Sequence, residues 1–260
     1  MKIGTVPYYN CLPLTAGLSD QIVTLPPRDL TTALLNDEID VGLIPTYSIL
    51  KHNLHAFPEA GLIGCDGEVK SVGFFIRDAF KDLDDIETIY FDAESQTSVE
   101  LAKIILHKLY GRNLRSIKVV PLENISQADA LLLIGDKALF FQEPGYKYWD
   151  LGALWKQLTG VGFIFAAWAS KRLLNPQEFQ MLLQSKQHGL ANREQLLNNV
   201  PAQKRDVLSK YLKESIIYND TPELRRGYEL FRDYLNEMNL LHPPTIEADL
   251  DFETMLRWSA

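Results

Sequence analysis

The first 50 residues alternate between short apolar segments and segments with helical periodicity, and this alternation constrains the fold more than any other feature of the sequence. The apolar segments are rich in β-branched residues, and each one ends at or just before a proline. We predict strands at residues 3–6, 21–25 and 40–45 and helices at residues 10–17 and 30–36, the second helix capped by Asp29. This order is typical of βαβ units and predicts a parallel sheet.

The same kind of pattern returns further along the chain, which indicates a second α/β lobe. Residues 77–87 are charged and loop-like, with five acidic residues, and we place the first crossing between the lobes there. The apolar segment 163–168 is predicted to be the return crossing, and the chain beyond residue 175 is expected to be helical and to return to the first lobe. The further predicted elements are strands at 60–64, 69–76, 88–91, 117–120 and 130–134 and helices at 47–52, 99–109, 137–141 and 150–159.

The predicted fold class is therefore α/β with two hinged lobes, each a mostly parallel sheet flanked by helices, around a ligand cleft. The expected lobes are residues 1–77 together with 171–260, and residues 78–170. Such a cleft suits a small polar molecule that is wrapped between the lobes.

Charge and composition exclude several other classes of function. The net charge of −8 argues against a broad nucleic-acid surface, because such surfaces need clustered Lys and Arg. The sequence has no apolar run of the ~18 residues that span a bilayer, and its first residues lack the pattern of a secretory signal. We therefore expect no nucleic-acid partner, no membrane partner and a cytoplasmic location.

Neither a metal nor a nucleotide cofactor is indicated by the sequence. Cys11 and Cys65 lie far apart and fit no zinc or redox motif, so both are expected to be buried free thiols. The histidines, among them His188 and His242, show no metal-ligand spacing. Glycine-rich phosphate-binding motifs are absent from the sequence.

Asn10 stands where the first predicted strand gives way to the first predicted helix. The carboxyl ends of parallel strands form the edge of a sheet where ligands bind, so Asn10 is a candidate site residue. Asparagine is also a common N-cap, and Asn10 could do no more than cap that helix. The local pattern leaves both interpretations open.

A second polar segment, residues 95–98, leads from a predicted strand straight into a predicted helix. Ser95, Thr97 and Ser98 predict an anion site, because the free amides and the dipole of a helix N-terminus favour negative charge. The alternative is that one of these hydroxyls is only the N-cap. Asp136 follows another predicted strand, where it could hold a ligand hydroxyl or cap the next helix.

Short motifs occur in one order across nearly the whole chain. They are IGTVPYYNCLPL at 3–14, DVGLIP at 40–45, SV at 71–72, SQTS at 95–98, IGDKAL at 134–139, DL at 150–151 and WKQLTG at 155–160, with further similarity at 163–168 and 211–218. Together they resemble the menaquinone-biosynthesis family of the futalosine pathway. The resemblance implies a fold similar to the type 2 periplasmic binding proteins. It also implies a lyase that removes water from chorismate, a small dicarboxylate, to give 3-[(1-carboxyvinyl)oxy]benzoate without a cofactor.

The resemblance further implies that Asn10, Ser71, Thr97 and Ser98 line the cleft, and we predict that Asn10 and Ser71 are the catalytic residues. Thr97 and Ser98 are candidates for binding one carboxylate, and Ser71 for binding the other or orienting the leaving hydroxyl. A carboxamide has no suitable pKa to act as a base. If no Asp, Glu or His reaches the proton, the substrate's own enolpyruvyl carboxylate is the candidate base, with Asn10 orienting it.

Two other functions fit the same fold. A sister lyase of the pathway forms 1,4-dihydroxy-6-naphthoate from cyclic dehypoxanthine futalosine, but it begins with a Pro-Asn-Asp motif, and Asn10 followed by Leu-Pro-Leu favours the dehydratase. A binding or sensing protein for a small carboxylate would share the cleft without chemistry. The sequence departs from the family at Gln96, where a basic residue is common, and at Gly73, Phe74 and Phe75, where an aliphatic pair and a serine are usual. Gln96 removes a counter-charge for a dianionic substrate.

Overall fold

The computed structural model describes residues 1–18 and 22–241 of the 260-residue chain, and these residues form two sheets flanked by helices. Residue 21, where the second predicted strand begins, and His242 lie outside the described residues. The strands are β1 Ile3–Thr5, β2 Ile22–Thr24, β3 Val41–Pro45, β4 His55–Ala56, β5 Leu62–Cys65, β6 Val72–Arg77, β7 Thr88–Phe91, β8 Lys118–Val119, β9 Ala130–Ile134, β10 Tyr146–Asp150 and β11 Phe163–Ser170. β4 and β10 have no counterpart among the predicted strands.

The predicted mixed α/β fold with two sheets is confirmed, but each sheet is parallel only in part. The first sheet has the order β2-β1-β3-β11-β4, with β5 also paired to β11, and the second has the order β10-β6-β9-β7-β8. β1 pairs in parallel with β2 and β3, and β7 pairs in parallel with β8 and β9. The strands β6 and β11 run antiparallel to all their neighbours. Each of them is the first strand after the chain has changed sheets.

The positions of the two crossings differ from the expected ones. The chain leaves the first sheet after β5 and enters the second at β6, then leaves it after β10 and returns at β11. The expected boundaries after residues 77 and 170 are therefore corrected, because residues 72–77 lie in the second sheet and residues 163–170 in the first. The physical reason for β6 is its apolar character on both faces, which suits a strand whose Phe74 lies between Leu132 and Trp149. Below, lobe I is the part built on the first sheet and lobe II the part built on the second.

Helices cover the sheets and form most of the chain beyond residue 175. The α-helices are α1 Leu12–Thr15, α2 Pro27–Leu35, α3 Thr46–Lys51, α4 Thr97–Lys108, α5 Gly135–Leu139, α6 Leu151–Thr159, α7 Pro176–Ala191, α8 Arg193–Leu196, α9 Ala202–Lys210 and α10 Pro222–Glu237. Turns of 3-10 helix lie at Tyr9–Cys11, Leu114–Ser116, Leu122–Gln127 and Leu197–Asn199, and a π-helical turn lies at Tyr211–Ser215.

The ends of two helices illustrate what the sequence predicts well and poorly. α6 begins at Asp150, whose side chain accepts a hydrogen bond from the Ala153 amide, and it ends at Gly160 with φ of 76°, as a left-handed C-cap requires. The predicted cap of α2 is wrong, because Asp29 lies inside the first turn. α2 starts earlier, with Pro26 as its N-cap residue and Pro27 as its first residue, a position that suits proline.

The helical tail packs on lobe I, as predicted, and also reaches lobe II. Ser185 of α7 donates hydrogen bonds to the carbonyls of Leu14 and Ala16, and Gly189 lies so close to the Pro13 carbonyl that a Cβ there would clash. α10 packs on β11 and against α4. The tail therefore spans the junction of the two lobes.

The junction has an aromatic core. Trp155 of α6, Phe163 of β11 and Phe231 of α10 are fully buried. Their rings meet edge to face, with centroids 5.1 Å apart for Trp155 and Phe163 and 5.0 Å apart for Phe163 and Phe231. Such pairs contribute about 0.5–1.5 kcal/mol beyond their buried area. Within the described ranges, no helix combines the length and the apolar character that crossing a membrane requires.

Candidate functional site

A pocket with about 590 Å³ of empty space, its open mouth included, lies between the two lobes. Its lining comes from both sheets, from the first crossing and from the N-terminal end of α4. The lining residues are Val6, Tyr8, Asn10, Pro27, Leu43, Pro45, Ile63, Val69, Ser71, Val72, Ser95, Gln96, Thr97, Ser98, Ile134, Gly135, Phe165 and Ala166. Five of the six predicted site residues therefore meet at one pocket, namely Asn10, Ser71, Ser95, Thr97 and Ser98.

Asp136 is the predicted site residue that the structure places outside this lining. It lies in the first turn of α5, where its carboxylate accepts a hydrogen bond from the Tyr9 amide at 3.2 Å. The alternative that Asp136 caps the helix is also wrong, because Ile134 is the N-cap residue of α5. Burial raises the pKa of Asp136, although the Tyr9 hydrogen bond and Lys204 act in the opposite direction. Asp136 therefore joins the two lobes beside the pocket.

Asn10 does not cap a helix. It lies inside the 3-10 turn Tyr9–Cys11, and it is the N-cap residue neither of that turn nor of α1. Its Nδ2 donates to the hydroxyl of Tyr211 at 3.2 Å, and its Oδ1 accepts from the Cys11 thiol at 3.3 Å. Burial raises the pKa of that thiol to about 12, so Cys11 stays a donor at neutral pH. The carboxamide of Asn10 is thus held at both ends.

Ser71 lies in the first crossing, and a buried carboxylate fixes the backbone that carries it. Asp150 accepts hydrogen bonds from the amides of Val69 and Lys70 at 3.0 and 2.6 Å, and Lys70 adopts a φ of 63°. The Ser71 hydroxyl oxygen accepts a hydrogen bond from Tyr211 at 2.6 Å. One phenol therefore contacts both predicted catalytic residues, and we call Asn10, Ser71 and Tyr211 the Tyr211 network.

The α4 N-terminus, residues 95–98, faces the pocket without a protein cap. Gln96 is the N-cap residue of α4, and its side chain makes no capping hydrogen bond. The buried hydroxyl of Ser95 has no hydrogen-bond partner within residues 1–18 and 22–241. The alternative that Ser95, Thr97 or Ser98 serves as the N-cap is therefore wrong. Free amides and an unpaired hydroxyl at a helix N-terminus form a site for an anion.

Hydrogen bonds from this helix to lobe I join the two lobes beside the pocket. Thr97 accepts a hydrogen bond from the Tyr47 amide at 3.1 Å. The side-chain carbonyl of Gln96 accepts hydrogen bonds from Ser48 at 2.6 Å and from Thr31 at 3.3 Å. Gln96, the position where the family commonly has a basic residue, is thus a bridge from lobe II to lobe I.

The pocket lining is neutral. Among the described lining residues there is no Asp, Glu, His, Lys or Arg, so hydroxyls, amides and apolar surface have to recognise a ligand. Charges lie beside the pocket, where Tyr8 donates to Glu94 at 2.8 Å and Lys137 pairs with Asp92 and Glu94, each at 3.2 Å. Burial and Glu94 raise the pKa of Tyr8, so this phenol stays protonated.

The other departure from the family does not reach the pocket. Phe74 is fully buried in the main core, and Phe75 packs against Phe141 and Tyr148. A Cβ at Gly73 would meet the Trp149 carbonyl of the neighbouring strand. These three residues shape the second sheet and are not among the lining residues, whereas Val69, Ser71 and Val72 just before them line the pocket.

The sequence pattern missed Tyr211 as a partner of the site. Its hydroxyl meets Asn10 and Ser71, which lie 201 and 140 residues away in sequence. No local signal marks such a contact, since a buried tyrosine in a helical tail is usually core. The predicted absence of metal and cofactor remains a prediction. Within the described ranges there is no group of three or more His, Cys, Asp or Glu side chains that could hold a metal ion.

Comparison with known proteins agrees with this architecture. A chorismate dehydratase from Thermus thermophilus is 29% identical over an alignment of 212 residues, and the match covers 72% of this chain and 77% of that protein. A crystal structure from Archaeoglobus fulgidus has a TM-score of 0.70 at 13% identity and covers 92% of this chain and 97% of that one. The periplasmic aliphatic sulphonate binding protein of Escherichia coli has a TM-score of 0.63 at 15% identity and covers 99% and 96%.

The fold is thus that of the periplasmic binding proteins, two α/β lobes with a pocket between them. The profile of a family described by the words "Menaquinone biosynthesis" matches residues 1–237. The chain belongs to this menaquinone-biosynthesis family.

Proposed function

We propose that this chain is a hydro-lyase that dehydrates chorismate to 3-[(1-carboxyvinyl)oxy]benzoate. The observation that carries the proposal is the neutral pocket in which the Tyr211 network and the uncapped α4 N-terminus meet. A dicarboxylate with an apolar ring suits such a pocket, since it needs donors at its carboxylates and apolar surface elsewhere. Membership of the menaquinone-biosynthesis family and the similarity to a chorismate dehydratase support the choice of substrate.

The α4 N-terminus binds the ring carboxylate in this proposal. Ser95, Thr97 and Ser98 supply hydroxyl donors, and the first-turn amides of α4 add their partial positive charge. The hydrogen that leaves the ring is vinylogous to this carboxylate, so negative charge spreads into it during the reaction. Donors that already point at that charge stabilise the transition state.

The reaction breaks a C–H bond at the ether-bearing carbon and the C–O bond to the neighbouring hydroxyl. The proton and the hydroxyl leave together as water, and the ring becomes aromatic. The lining offers no side chain with a pKa suited to a base. The enolpyruvyl carboxylate of the substrate therefore takes the proton from carbon and passes it to the departing hydroxyl, so that water is released and the carboxylate is regenerated. Asn10 orients that carboxylate through its Nδ2 group, and Ser71 donates a hydrogen bond to the leaving hydroxyl.

A product assay tests the proposal. Purified protein is incubated with chorismate, and formation of the enolpyruvyl benzoate is followed by chromatography and mass spectrometry. We expect product to accumulate with protein concentration and to disappear in the Asn10→Ala variant. Binding of chorismate without product would instead identify a binding or sensing protein. Cyclic dehypoxanthine futalosine is offered in parallel, and conversion of that compound alone would identify the sister lyase.

Two expectations from the sequence remain predictions. They are the cytoplasmic location of the protein and a reaction that needs no cofactor. The product assay addresses the second one directly, since it is run with chorismate as the sole small molecule and with a chelator in a matched sample.

A further inference from the structure

Tyr211 lies behind the pocket rather than in its lining. It is the first residue of the π-helical turn Tyr211–Ser215 and is only 2% exposed. Its side chain nevertheless reaches both residues to which the proposed reaction assigns the chemistry, with Oη 3.2 Å from Asn10 Nδ2 and 2.6 Å from Ser71 Oγ. The helical tail thus supplies a single hydroxyl shared by two pocket residues.

The direction of these hydrogen bonds is fixed by the number of protons. Asn10 Nδ2 is a donor only, so the phenol oxygen accepts from it and must send its own single proton elsewhere. The remaining partner is Ser71, which therefore accepts. Because Ser71 accepts from Tyr211, its own hydroxyl proton cannot point back at the phenol and is left for a ligand in the pocket. Burial raises the pKa of Tyr211 further above its ordinary value, so the phenol keeps its proton at neutral pH.

The same phenol also sets the carboxamide of Asn10. The Cys11 thiol donates to Oδ1 and Tyr211 accepts from Nδ2, which fixes the plane of the amide and which end is nitrogen. The second N–H of Nδ2 is then left for a ligand carboxylate. Without Tyr211 the amide could rotate or flip at little cost, and the orientation of both pocket groups would have to be established anew in each catalytic cycle.

We propose that Tyr211 is a positioning residue that presents Ser71 and Asn10 to the substrate as donors of fixed direction. The inference rests on the dehydration proposed above. It assigns a role in catalysis to the helical tail, although Tyr211 does not line the pocket. Donors that are oriented before the substrate binds need no reorganisation in the transition state, so the effect of Tyr211 falls on turnover more than on binding.

Tyr211→Phe is the variant that tests this role, since it keeps the ring and removes only the hydroxyl. We expect kcat for chorismate to fall about 10- to 100-fold and KM to change less than about 3-fold. Tyr218→Phe is the matched control. Tyr218 is also 2% exposed and in the same tail, but its hydroxyl has no hydrogen-bond partner among the described residues. The control should keep the kcat of the unmodified protein.

A merely structural role is separated from a positioning role by two further measurements. Ser71→Ala removes one group that Tyr211 orients, so Tyr211→Phe should cost less in the Ser71→Ala background than in the unmodified protein. Exchange of the Asn10 side-chain amide protons, followed by NMR, should be slow in the unmodified protein and in Tyr218→Phe, and fast in Tyr211→Phe. This second measurement needs no substrate.

Each outcome decides the inference. A kcat within about 2-fold of the unmodified protein in Tyr211→Phe, or an equal loss in Tyr218→Phe, would overturn it. If the unmodified protein does not convert chorismate, the proposed dehydration fails on its own. The amide exchange then still decides whether Tyr211 orients Asn10, and unchanged exchange in Tyr211→Phe would overturn that as well.

Discussion

The two polar regions of the pocket differ in how much of their hydrogen-bonding capacity the protein itself uses. In the Tyr211 network, Asn10 and Ser71 already have partners in the buried phenol. At the α4 N-terminus, the buried Ser95 hydroxyl has no partner among the described residues, and the side chain of the N-cap residue Gln96 makes no capping hydrogen bond. The first region is therefore oriented before a ligand arrives, whereas the second retains donors that a ligand must satisfy.

This difference predicts which kinetic constant each region controls. A group that is oriented before the substrate binds needs no reorganisation in the transition state, so its removal should lower kcat. An unsatisfied donor that pairs with a carboxylate already in the ground state contributes to binding, so its loss should raise KM. Variants in the two regions can separate these effects because no hydrogen bond found among the described residues joins Asn10, Ser71 or Tyr211 to residues 95–98.

The largest expected effect is that of Asn10→Ala. We expect kcat to fall by roughly 10²-fold or more, because the carboxylate that takes the proton is no longer held in its reactive orientation, while the protein stays folded. Steady-state kinetics and a thermal unfolding curve of the same sample measure both quantities. Asn199→Ala, at an exposed position of the tail, is the control and should match the unmodified protein. Turnover close to that of the unmodified protein would remove Asn10 from the mechanism.

Two serines offer a matched pair, one in each region, with opposite expected effects on stability. Ser71→Ala leaves the buried phenol of Tyr211 without an acceptor and should lower the free energy of unfolding by about 1–3 kcal/mol. Ser95→Ala removes a buried hydroxyl that has no described partner, so it should leave the free energy of unfolding unchanged or raise it by up to about 1 kcal/mol. Chemical denaturation without ligand measures both.

The same pair should separate in kinetics. Ser95→Ala is expected to raise KM for chorismate about 10- to 100-fold, since a hydrogen bond to a carboxylate contributes about 1.5–3 kcal/mol. It should lower kcat less than Ser71→Ala does, because the α4 N-terminus stays in place to stabilise the charge that spreads into the ring carboxylate. Ser71→Ala should act mainly on kcat. Equal stability losses in both variants would contradict the contrast between an oriented and an unsatisfied region.

Gln96→Ala tests the bridge between the lobes and should have a smaller effect. The variant removes the acceptor of the Ser48 hydroxyl and one of the acceptors near the Thr31 hydroxyl, and we expect KM to rise about 3- to 10-fold because each neutral hydrogen bond contributes about 1 kcal/mol. Ser48→Ala provides the second arm of a double-mutant cycle. Additive effects in the double variant would show that the two side chains do not act as one bridge.

Much of the fold follows from local sequence signals. The βαβ alternation predicts β1, β3 and the start of the parallel region, and Asp150 with Gly160 marks α6. The lobe boundaries do not follow in this way, because sheet membership is set by pairing between distant residues. β6 belongs to the second sheet through partners in β9 and β10 that lie more than 50 residues further along the chain.

In the candidate site, too, local sequence signals predict some residues, whereas contacts between distant residues determine the others. The α4 N-terminus is predictable because its hydroxyls and its helix are contiguous in the sequence. Asn10 is a candidate from its place after a strand, and Ser71 emerges from the family resemblance. Their shared partner Tyr211 lies in the similar segment 211–218, but only the folded tail shows its role. Asp136 was predicted from its place after a strand, but the neighbouring lobe offers it the Tyr9 amide instead.

Asp136→Asn is expected to have the smallest effect on activity. Because Asp136 lies outside the pocket lining and an asparagine can still accept from the Tyr9 amide, kcat/KM at pH 7 should stay within about 3-fold of the unmodified value. Its stability effect should depend on pH. Burial raises the pKa of Asp136 in the folded protein, so over the pH window between its ordinary and raised pKa the folded state holds a proton that the unfolded chain has lost.

The sign of that dependence follows directly. The contribution of Asp136 favours folding below its ordinary pKa and is lost as the pH rises through the raised one. The free energy of unfolding of the unmodified protein should therefore fall relative to that of Asp136→Asn as the pH rises through this window, which denaturation at a series of acidic pH values measures. A KM increase above about 10-fold in Asp136→Asn would instead restore Asp136 to the substrate-binding role that the sequence suggested.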